Sequence, residues 1–415
     1  NMVDYIQRGI YEDPLKLGRP NETNRPQNIY FRECENVTIK DITLRDPASW
    51  NQTYDQCKNL YVDGIHVDSK SYWNNDGIDV VDCDGVVLKN SFIDAADDAL
   101  CFKSHDANSM CQNVVVENCV GRSSASGLKF GTVSRGGFRN FKVKNIKIYD
   151  TYRSAITFAA VDGALIENIE VDGVRSIHTG NVIYLRIGDR WSAGKKPIMK
   201  NITIKNVYAE IPMDKPDAGY NYEGPIEDLP RNISPASIVG LPEYKIQNVT
   251  LQNIEIVSPG GGNPYYAYRG LAPAELDSIP EMATSYPEFS QFKELPAWGF
   301  YIRHAEGITF DNVTFKALKK DYRPAIVMDD ADLELAVKAI VDSRVINTGQ
   351  VCNCAERVYV QKGIYDQFVN RLGEAMKAVQ FGNPAERNDI AMGPLINAAA
   401  LDRVEQKVAR AVQEG

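Results

Sequence analysis

The sequence predicts a parallel β-solenoid, followed by a short segment of a different, helix-containing type. A unit of Asn or Gly followed by alternating apolar and polar residues recurs from Asn36 to Gly307, at steps that lengthen from 23 residues (36 to 59) to 59 residues (248 to 307). Repeats of this period indicate a solenoid. The alternation runs through stretches rich in Val, Ile and Thr, which is typical of strands with one buried face.

Nine such units are recognised, and they begin at Asn36, Asn59, Gly85, Asn113, Asn140, Gly163, Asn201, Asn248 and Gly307. Asn and Gly tolerate left-handed backbone best, so we expect these residues at sharp corners between strands. The unit is too short for a propeller blade and lacks the 3.6-residue period of helical repeats. Each turn of the solenoid should therefore hold about three short strands.

Four corner asparagines also begin a glycosylation sequence, Asn-x-Thr, and these are Asn36, Asn201, Asn248 and Asn312. All four fall in phase with the repeat. We therefore interpret them as corner residues followed by β-branched residues, and not as glycosylation sites.

The composition limits the classes of partner. A net charge of −9 and a pI near 5.2 argue against nucleic acid and anionic membranes. No apolar run is long enough to predict a spanning helix.

The eight cysteines form no zinc-type pair of C-x-x-C units, and we expect the first six to be buried or unpaired thiols. No metal or cofactor is predicted.

Three aspartates form the candidate catalytic site. Asp97 and Asp98 follow Asp76 by 21 and 22 residues, which is one turn of the solenoid, so they should stack about 4.8 Å apart. Both members of the pair reach one cleft only if the chain turns there, because neighbouring strand residues face opposite ways. Three adjacent carboxylates repel, which raises at least one pKa and supplies the acid and base of glycosidic hydrolysis. A solvated acidic turn and a cation site are the alternatives.

These residues resemble motifs of the polygalacturonases of glycoside hydrolase family 28, and the matching segments are Asn74-Asn75-Asp76-Gly77-Ile78-Asp79, Ala96-Asp97-Asp98 and Phe102-Lys103-Ser104. The resemblance covers about residues 1–320, with the first turns of the β-helix missing. It implies a right-handed parallel β-helix and an inverting hydrolase. Asp97 would be the general acid, and Asp76 and Asp98 would hold the attacking water, with carboxyls roughly 6.5–9.5 Å apart.

Two motifs of that family are replaced. Ala125-Ser126-Gly127 stands where the family has Gly-His-Gly, and Thr157-Phe158-Ala159 where it has Arg-Ile-Lys. Losing these cations removes charge-assisted contacts to an acidic sugar, so we expect a pectin-related or similar polysaccharide or oligosaccharide other than plain polygalacturonate. The candidate substrate-binding residues are Lys103, Ser126, Lys129 and Arg186, and Lys129 is favoured as the replacement charge.

The longest steps contain insertions at about residues 212–245 and 258–300. Their aromatic residues include Tyr220, Tyr222, Tyr265, Tyr266, Tyr268 and Trp298. Insertions in repeat proteins commonly lie on the binding face, where these rings would stack on sugars. The alternative is that the tyrosines pack their own loops.

The residue pattern changes after about Lys320, where the Asn-led alternation stops. Helix-period segments are predicted at Ala331–Val345, Gly363–Val379 and Ala398–Gln413, with a short strand at Arg357–Gln361. Pro324–Gly415 resembles the aldehyde dehydrogenase family, in particular the bacterial lactaldehyde dehydrogenases. The segment Ile346–Val360 matches their active-site region and places the nucleophilic thiol at Cys352.

That second region is incomplete. It lacks a nicotinamide-binding domain and the Glu-Leu-Gly-Gly-Lys segment of the family, so no hydride acceptor or general base is present and we expect an inactive fragment. The chain thus resembles two unrelated proteins joined together. The β-helix portion would be secreted or periplasmic, with its leader removed or the sequence beginning partway into a longer gene, and the fragment would derive from a cytoplasmic enzyme.

Three alternatives to the hydrolase remain open. A non-catalytic glycan-binding β-helix is favoured by the two replaced motifs and opposed by the three intact acids. A β-helix lyase would usually need calcium and an Arg or Lys base. Aldehyde dehydrogenase activity of the C-terminal segment is disfavoured by the parts that it lacks.

Overall fold

A computed structural model describes residues 25–72, 74–214, 216, 234–261, 279–292, 295, 297–321, 333–350, 358, 360 and 363–414. It divides into two compact units, Asn1–Ala325 and Ile326–Gly415. Within the described ranges, no helix is both long and apolar enough to cross a membrane.

The first unit is built from strands that each add to the coil. In chain order they are β1 Ile29–Arg32, β2 Thr38–Lys40, β3 Thr43–Arg45, β4 Gln52–Asp55, β5 Lys58–Asp63, β6 His66–Ser69, β7 Ile78–Val81, β8 Asp84–Lys89, β9 Phe92–Ala95, β10 Leu100–Ser104, β11 Cys111–Glu117, β12 Val120–Ser123, β13 Leu128–Ser134, β14 Gly137–Ala160, β15 Leu165–Ile187, β16 Ile198–Glu210, β17 Ala236–Val239, β18 Ile246–Gly260, β19 Phe300–Arg303 and β20 Ala305–Lys319.

Each strand pairs in parallel with the strand one turn further along the coil, which gives three stacked sheets. The first sheet, here the site sheet, contains β1, β4, β7, β10, β13, the ends of β14 and β15, β17 and β19. The second starts with β2, β5, β8 and β11, and the third with β3, β6, β9 and β12. The predicted parallel β-helix is confirmed.

The corners have the backbone that the sequence predicts, since all nine predicted unit starts have positive φ. One unit is misplaced in the prediction. Register pairs Arg139 with Glu167, so Asn140 lies opposite Asn168 and not opposite Gly163. The Asn168 amide donates to Oδ1 of Asn140 at 3.3 Å, which continues a ladder of corner asparagines. Gly163 occupies a different corner, because alternation alone does not distinguish successive corners of one turn.

The four asparagines of the glycosylation sequences all lie in such ladders and have positive φ. The amide of Asn201 donates to Asn168, that of Asn248 to Asn201, and that of Asn312 to Asn253. Asn36 accepts a hydrogen bond from Asn59 at 3.2 Å. Their conformations and partners agree with the interpretation as corner residues.

The interior of the coil is filled by side chains stacked one turn above another. Phe102, Phe130 and Phe158 occupy equivalent positions on consecutive turns, with ring centroids 5.3 Å and 4.4 Å apart. All three are fully buried. Because successive strand residues alternate between faces, the residues that flank these rings point outward from the site sheet.

The described cysteines are free thiols. Five of the six are buried, and Cys34 is half-buried. This agrees with the expected buried or unpaired thiols.

Part of the second predicted insertion covers the outer face of the site sheet. Phe289 and Phe292, in a 3-10 turn at Phe289–Phe292, pack with Tyr184 and Val239 of that sheet. Trp298 contacts Phe315 edge-to-face. The other predicted loop aromatics, Tyr220, Tyr222, Tyr265, Tyr266 and Tyr268, lie outside the described residues.

The second unit is helical where it is described, with α1 Leu333–Val345, α2 Tyr365–Ala378, α3 Ala398–Glu414 and a β-bridge between Phe381 and Met392. The predicted strand Arg357–Gln361 lies largely outside the described residues, and its two described members are not in a strand. Val337 and Phe368 are buried. The apolar stripe of α3 is exposed, and its members are Leu401, Val404, Val408 and Val412.

Candidate active site

Asp76 lies in the turn that leads into β7, and its neighbour Asn75 fixes that turn. The Asn75 amide donates to the backbone oxygens of Pro47 and Ser49 at 2.9 Å and 2.6 Å. At Gly77 a Cβ atom would lie 2.1 Å from Cγ2 of Ile93, so only glycine allows the turns to approach this closely. The sequence motif around Asp76 therefore has a structural basis.

Asp97 and Asp98 lie in the bend between β9 and β10, as the sequence predicts. The N–H of Gly77 donates to the backbone oxygen of Asp98 at 2.9 Å, which sets the pair one turn above Asp76. One carboxylate oxygen from each of the three aspartates lies within 4.8 Å of the others. The structure thus brings the three predicted acids together.

The three acids differ in accessibility. Asp76 and Asp98 are 3% and 4% exposed, whereas Asp97 is half-buried. Asp97 accepts a hydrogen bond from the Asn74 amide at 3.2 Å, and Asn74 in turn accepts one from Arg25 at 3.0 Å. Asp97 is therefore the acid of the three that a substrate reaches most directly.

Lys103 acts as an internal counter-ion. Its Nζ lies 3.0 Å from Oδ2 of Asp76, donates to Asp79, and lies 4.4 Å from the centre of the Trp50 ring. The side chain is 7% exposed. Lys103 is at the site, as predicted, but its ammonium is already held by two carboxylates and is not available to a substrate carboxylate.

Ser126 and Lys129 both contact Asp98. The backbone N–H of Ser126 donates to Oδ1 at 3.0 Å, and Nζ of Lys129 lies 2.8 Å from Oδ2. Lys129 also donates to the Tyr286 hydroxyl at 3.1 Å. Because Ser126 acts through its backbone, its side chain is not what the contact requires.

The electrostatic environment separates the three acids. Burial raises the pKa of Asp97, and the neighbouring charge of Asp98 raises it further. Burial, followed by the charge of Asp79, raises the pKa of Asp76 well above its ordinary value. For Asp98, burial is the largest influence and raises the pKa, but the combined attraction of Lys129, Lys103 and Arg153 outweighs it and the pKa is lowered. Asp98 is thus the acid that ionises first.

Arg186 does not join this group. It is 1% exposed, donates to the backbone oxygens of Gly240 at 3.2 Å and Glu281 at 2.5 Å, and lies over the Phe292 ring. Its guanidinium attaches the second insertion to the site sheet. These bonds use donors of Arg186 within the fold, and its contact with substrate stays a prediction.

The sequence prediction assigns no role to several neighbours of the site, among them Asp79, Arg153, Tyr286 and Glu288. Asp79 lies beside Asp76, and its signal was present in the motif Gly77-Ile78-Asp79. Nε of Arg153 lies 2.7 Å from Glu288 Oε2, and its guanidinium lies over the Tyr286 ring. Tyr286 follows Lys129 by 157 residues, so no local pattern predicts this contact.

Two overlapping acidic groups are close enough to contact one cation, and these are Asp76 with Asp97 and Asp98, and Asp76 with Asp79 and Cys101. The Lys103 ammonium already lies between Asp76 and Asp79 and donates to Cys101 at 2.9 Å. Lys103 is therefore the cation of the second of these groups. Cys352, the predicted vestigial nucleophile, lies outside the described residues.

The first unit is thus a parallel β-helix that carries a buried carboxylate cluster at one corner of its site sheet. Residues 16–160 match the sequence model of "Glycosyl hydrolases family 28", and residues 322–415 match that of "Aldehyde dehydrogenase family". The two matches fall on separate parts of the chain, so its two parts are similar to two different families, as the motifs predict. The three aspartates and Lys129 all lie within the first match.

The curated relatives match the C-terminal segment. Lactaldehyde dehydrogenase of Escherichia coli (strain K12) is 96% identical over 92 residues, which are 22% of this chain and 19% of the relative. Glutarate-semialdehyde dehydrogenase of Pseudomonas aeruginosa is 47% identical over 92 residues, with the same two shares. The chain spans about a fifth of the length of these relatives.

Among solved structures, an exopolygalacturonase from Thermotoga maritima is 21% identical, with a TM-score of 0.47 over 59% of this chain and 58% of that chain. A family 28 exopolygalacturonase from Yersinia enterocolitica is 16% identical, with a TM-score of 0.43 over 70% of this chain and 47% of that chain.

Proposed function

We propose that the β-helix is a glycoside hydrolase that cleaves a pectin-related polysaccharide or oligosaccharide. The observation that carries this proposal is the cluster of Asp76, Asp97 and Asp98, whose environments move their pKa values in opposite directions. A carboxyl that retains its proton beside one that ionises readily is the pair that glycosidic hydrolysis requires.

In this mechanism Asp97, the accessible acid, donates its proton to the glycosidic oxygen as the bond to the anomeric carbon breaks. Asp98 accepts a proton from the water whose oxygen attacks that carbon, and Asp76 orients the same water. Attack from the opposite face inverts the anomeric configuration. Inversion is proposed from the family resemblance, and NMR of the initial product would test it.

The substrate is proposed to be neutral or esterified at the cleaved linkage. Three cations near the acids have carboxylate partners, since Lys103 contacts Asp76 and Asp79, Lys129 contacts Asp98, and Arg153 contacts Glu288. Binding a uronate carboxylate here would require breaking one of these pairs. This supports a substrate other than plain polygalacturonate.

The proposal is tested by sugar release from a panel of methyl-esterified pectin, de-esterified polygalacturonate, rhamnogalacturonan and neutral galactans, with Asp97→Asn as the control. Release by the wild type and not by the variant supports hydrolysis. Equal sugar release by the wild type and the variant would contradict the proposed hydrolase. Retention on a polysaccharide without turnover would instead indicate a glycan-binding β-helix.

The same assay separates the lyase alternative, which would yield an unsaturated product that absorbs in the near ultraviolet and would lose activity with chelator.

For the C-terminal segment we propose no dehydrogenase activity. The full chain should reduce no NAD or NADP in the presence of lactaldehyde, with the intact dehydrogenase as positive control. Turnover above the blank would contradict this.

We also propose that the two segments come from unrelated proteins joined near residue 320. Peptide mapping across Lys319–Met328 in protein from the natural source would test this junction. Recovery of a peptide that spans it would establish that the two segments form one natural chain, and its absence would indicate an artificial join.

A further inference from the structure

Asp79 is a fourth acid at the site with no role in the mechanism above. It is fully buried on the outer face of β7, directly opposite Cys101 of β10 in register. The Lys103 ammonium, two residues further along β10, reaches back and contacts both Asp79 Oδ1 and Asp76 Oδ2. One ammonium is therefore shared between two buried carboxylates.

The single positive charge of Lys103 does not balance the negative charges of Asp76 and Asp79 when both are ionised. The charged groups that act on Asp76 and Asp79 include Lys103, Asp97 and Asp98. Burial raises the pKa of the adjacent Cys101 thiol well above its ordinary value, so this group stays neutral. Two like charges in a buried site repel strongly, so the pair with one ammonium favours retention of a proton.

Hydrogen bonding also favours the retention of a proton by the Asp76–Asp79 pair. Asp76 Oδ1 and Asp79 Oδ2 are both buried, and neither has a hydrogen-bond partner among the described residues. Each carboxyl thus uses one oxygen for the ammonium and leaves the other oxygen unsatisfied. An unsatisfied buried carboxylate oxygen is costly, and adding a proton lowers the charge that must be stabilised.

We propose that Asp79 is a positioning residue that shares Lys103 with Asp76 and thereby controls the protonation of Asp76. When Asp79 holds a proton, the ammonium is left to Asp76, which ionises and orients the attacking water. When Asp79 is ionised, the ammonium is divided and Asp76 retains its proton. The role of Asp76 in this inference rests on the proposed hydrolase, but the shared proton does not.

Two variants test the coupling, because they change the charge beside Asp76 in opposite directions. Asp79→Asn removes a negative charge and should lower the pKa of Asp76, whereas Lys103→Met removes the positive charge and should raise it. The acidic limb of the kcat/KM profile on the best pectin substrate should move by about 1–3 pH units, down in the first variant and up in the second. Asp79→Glu should restore the wild-type limb.

Shifts in the same direction, or an unmoved limb in both variants, would overturn the proposal, because loss of packing alone gives no opposite pair of shifts. Asp84→Asn is the matched control, since Asp84 lies on the second sheet and bonds Gln112 and Asn113. The acidic limb of its kcat/KM profile should coincide with that of the wild type.

A measurement without substrate separates this inference from the proposed function. In the full chain labelled with 13C at aspartate carboxyls, one signal should titrate near pH 6, the value to which burial raises the pKa of Asp79. The signal should vanish in Asp79→Asn, and another carboxyl should then titrate lower. If the variants do not fold, the wild-type spectrum decides, and absence of any carboxyl that titrates near pH 6 overturns the proposal.

Discussion

The Lys129 ammonium lies 2.8 Å from Oδ2 of Asp98, and the two side chains are only 2% and 5% exposed. This buried ion pair lowers the pKa of the carboxyl that is proposed to accept a proton from water. Ser126 stands where the resembled motif has a histidine, and the cation at this carboxylate comes from Lys129, three residues later.

Removing the Lys129 charge should affect both stability and the pH profile. Lys129→Met leaves a buried carboxylate without its partner, so the free energy of unfolding should fall by about 3–5 kcal/mol. The pKa of Asp98 should rise, which moves the acidic limb of activity to higher pH. Denaturant unfolding and a pH–rate profile measure the two effects.

The control is Lys205→Met, which removes a half-buried surface lysine paired with Glu170 at 2.6 Å. An exposed pair contributes at most about 1 kcal/mol. Similar losses in the two variants would contradict a special role for the Lys129–Asp98 pair.

The role of Asp97 as proton donor is tested by comparing substrates whose leaving groups differ in acidity. Asp97→Asn should reduce kcat by about 10²–10⁴-fold on a natural glycosidic linkage, because its leaving oxygen requires a proton. The loss should be much smaller for an aryl glycoside with an acidic phenol as leaving group. An equal loss for both substrates would assign Asp97 a role other than general acid.

Glu288 is expected to restrict the site to substrates without a free carboxylate. Glu288→Gln removes the charge paired with the Arg153 guanidinium and should raise kcat/KM on de-esterified polygalacturonate relative to methyl-esterified pectin. The measurement is the ratio of the two values. Glu255→Gln is the control, because Glu255 on β18 pairs with the exposed Lys316 at 2.5 Å, and it should leave the ratio unchanged.

The corner asparagines are tested at Asn118, whose φ is 54°. Alanine and glycine both remove the side-chain ladder, but alanine also meets the steric cost of left-handed backbone. Asn118→Ala should therefore be less stable than Asn118→Gly by about 1 kcal/mol, after allowance for the greater freedom of unfolded glycine. Equal stabilities in denaturant would mean that the backbone at this corner is not constrained.

The C-terminal unit should be less protected than the β-helix. The apolar stripe of α3 is exposed, and few large side chains among the described residues of this unit are buried. Amide hydrogens of Ala398–Glu414 should exchange orders of magnitude faster than those of Ile78–Ser104, as mass spectrometry of the full chain would show. Comparable protection in the two segments would contradict an incomplete core.

Much of the fold followed from local patterns. Alternation and left-handed corner residues predicted the coil, and the spacing of Asp76 from Asp97 and Asp98 predicted that they meet. The error at Gly163 shows the limit of this reasoning, since the register of a turn is set by pairing with its neighbour, as between Asn140 and Asn168.

By itself, the sequence determined the repeat, the bend that brings Asp97 and Asp98 to one corner, and the change of residue pattern near residue 320. Only the tertiary structure decided which cation meets which acid. It placed Lys103 between Asp76 and Asp79, assigned Lys129 to Asp98, and turned Arg186 to backbone oxygens. The physical reason is that these pairs form between turns and across an insertion, where the reach of a side chain and its competing partners determine the contact and no periodicity records it.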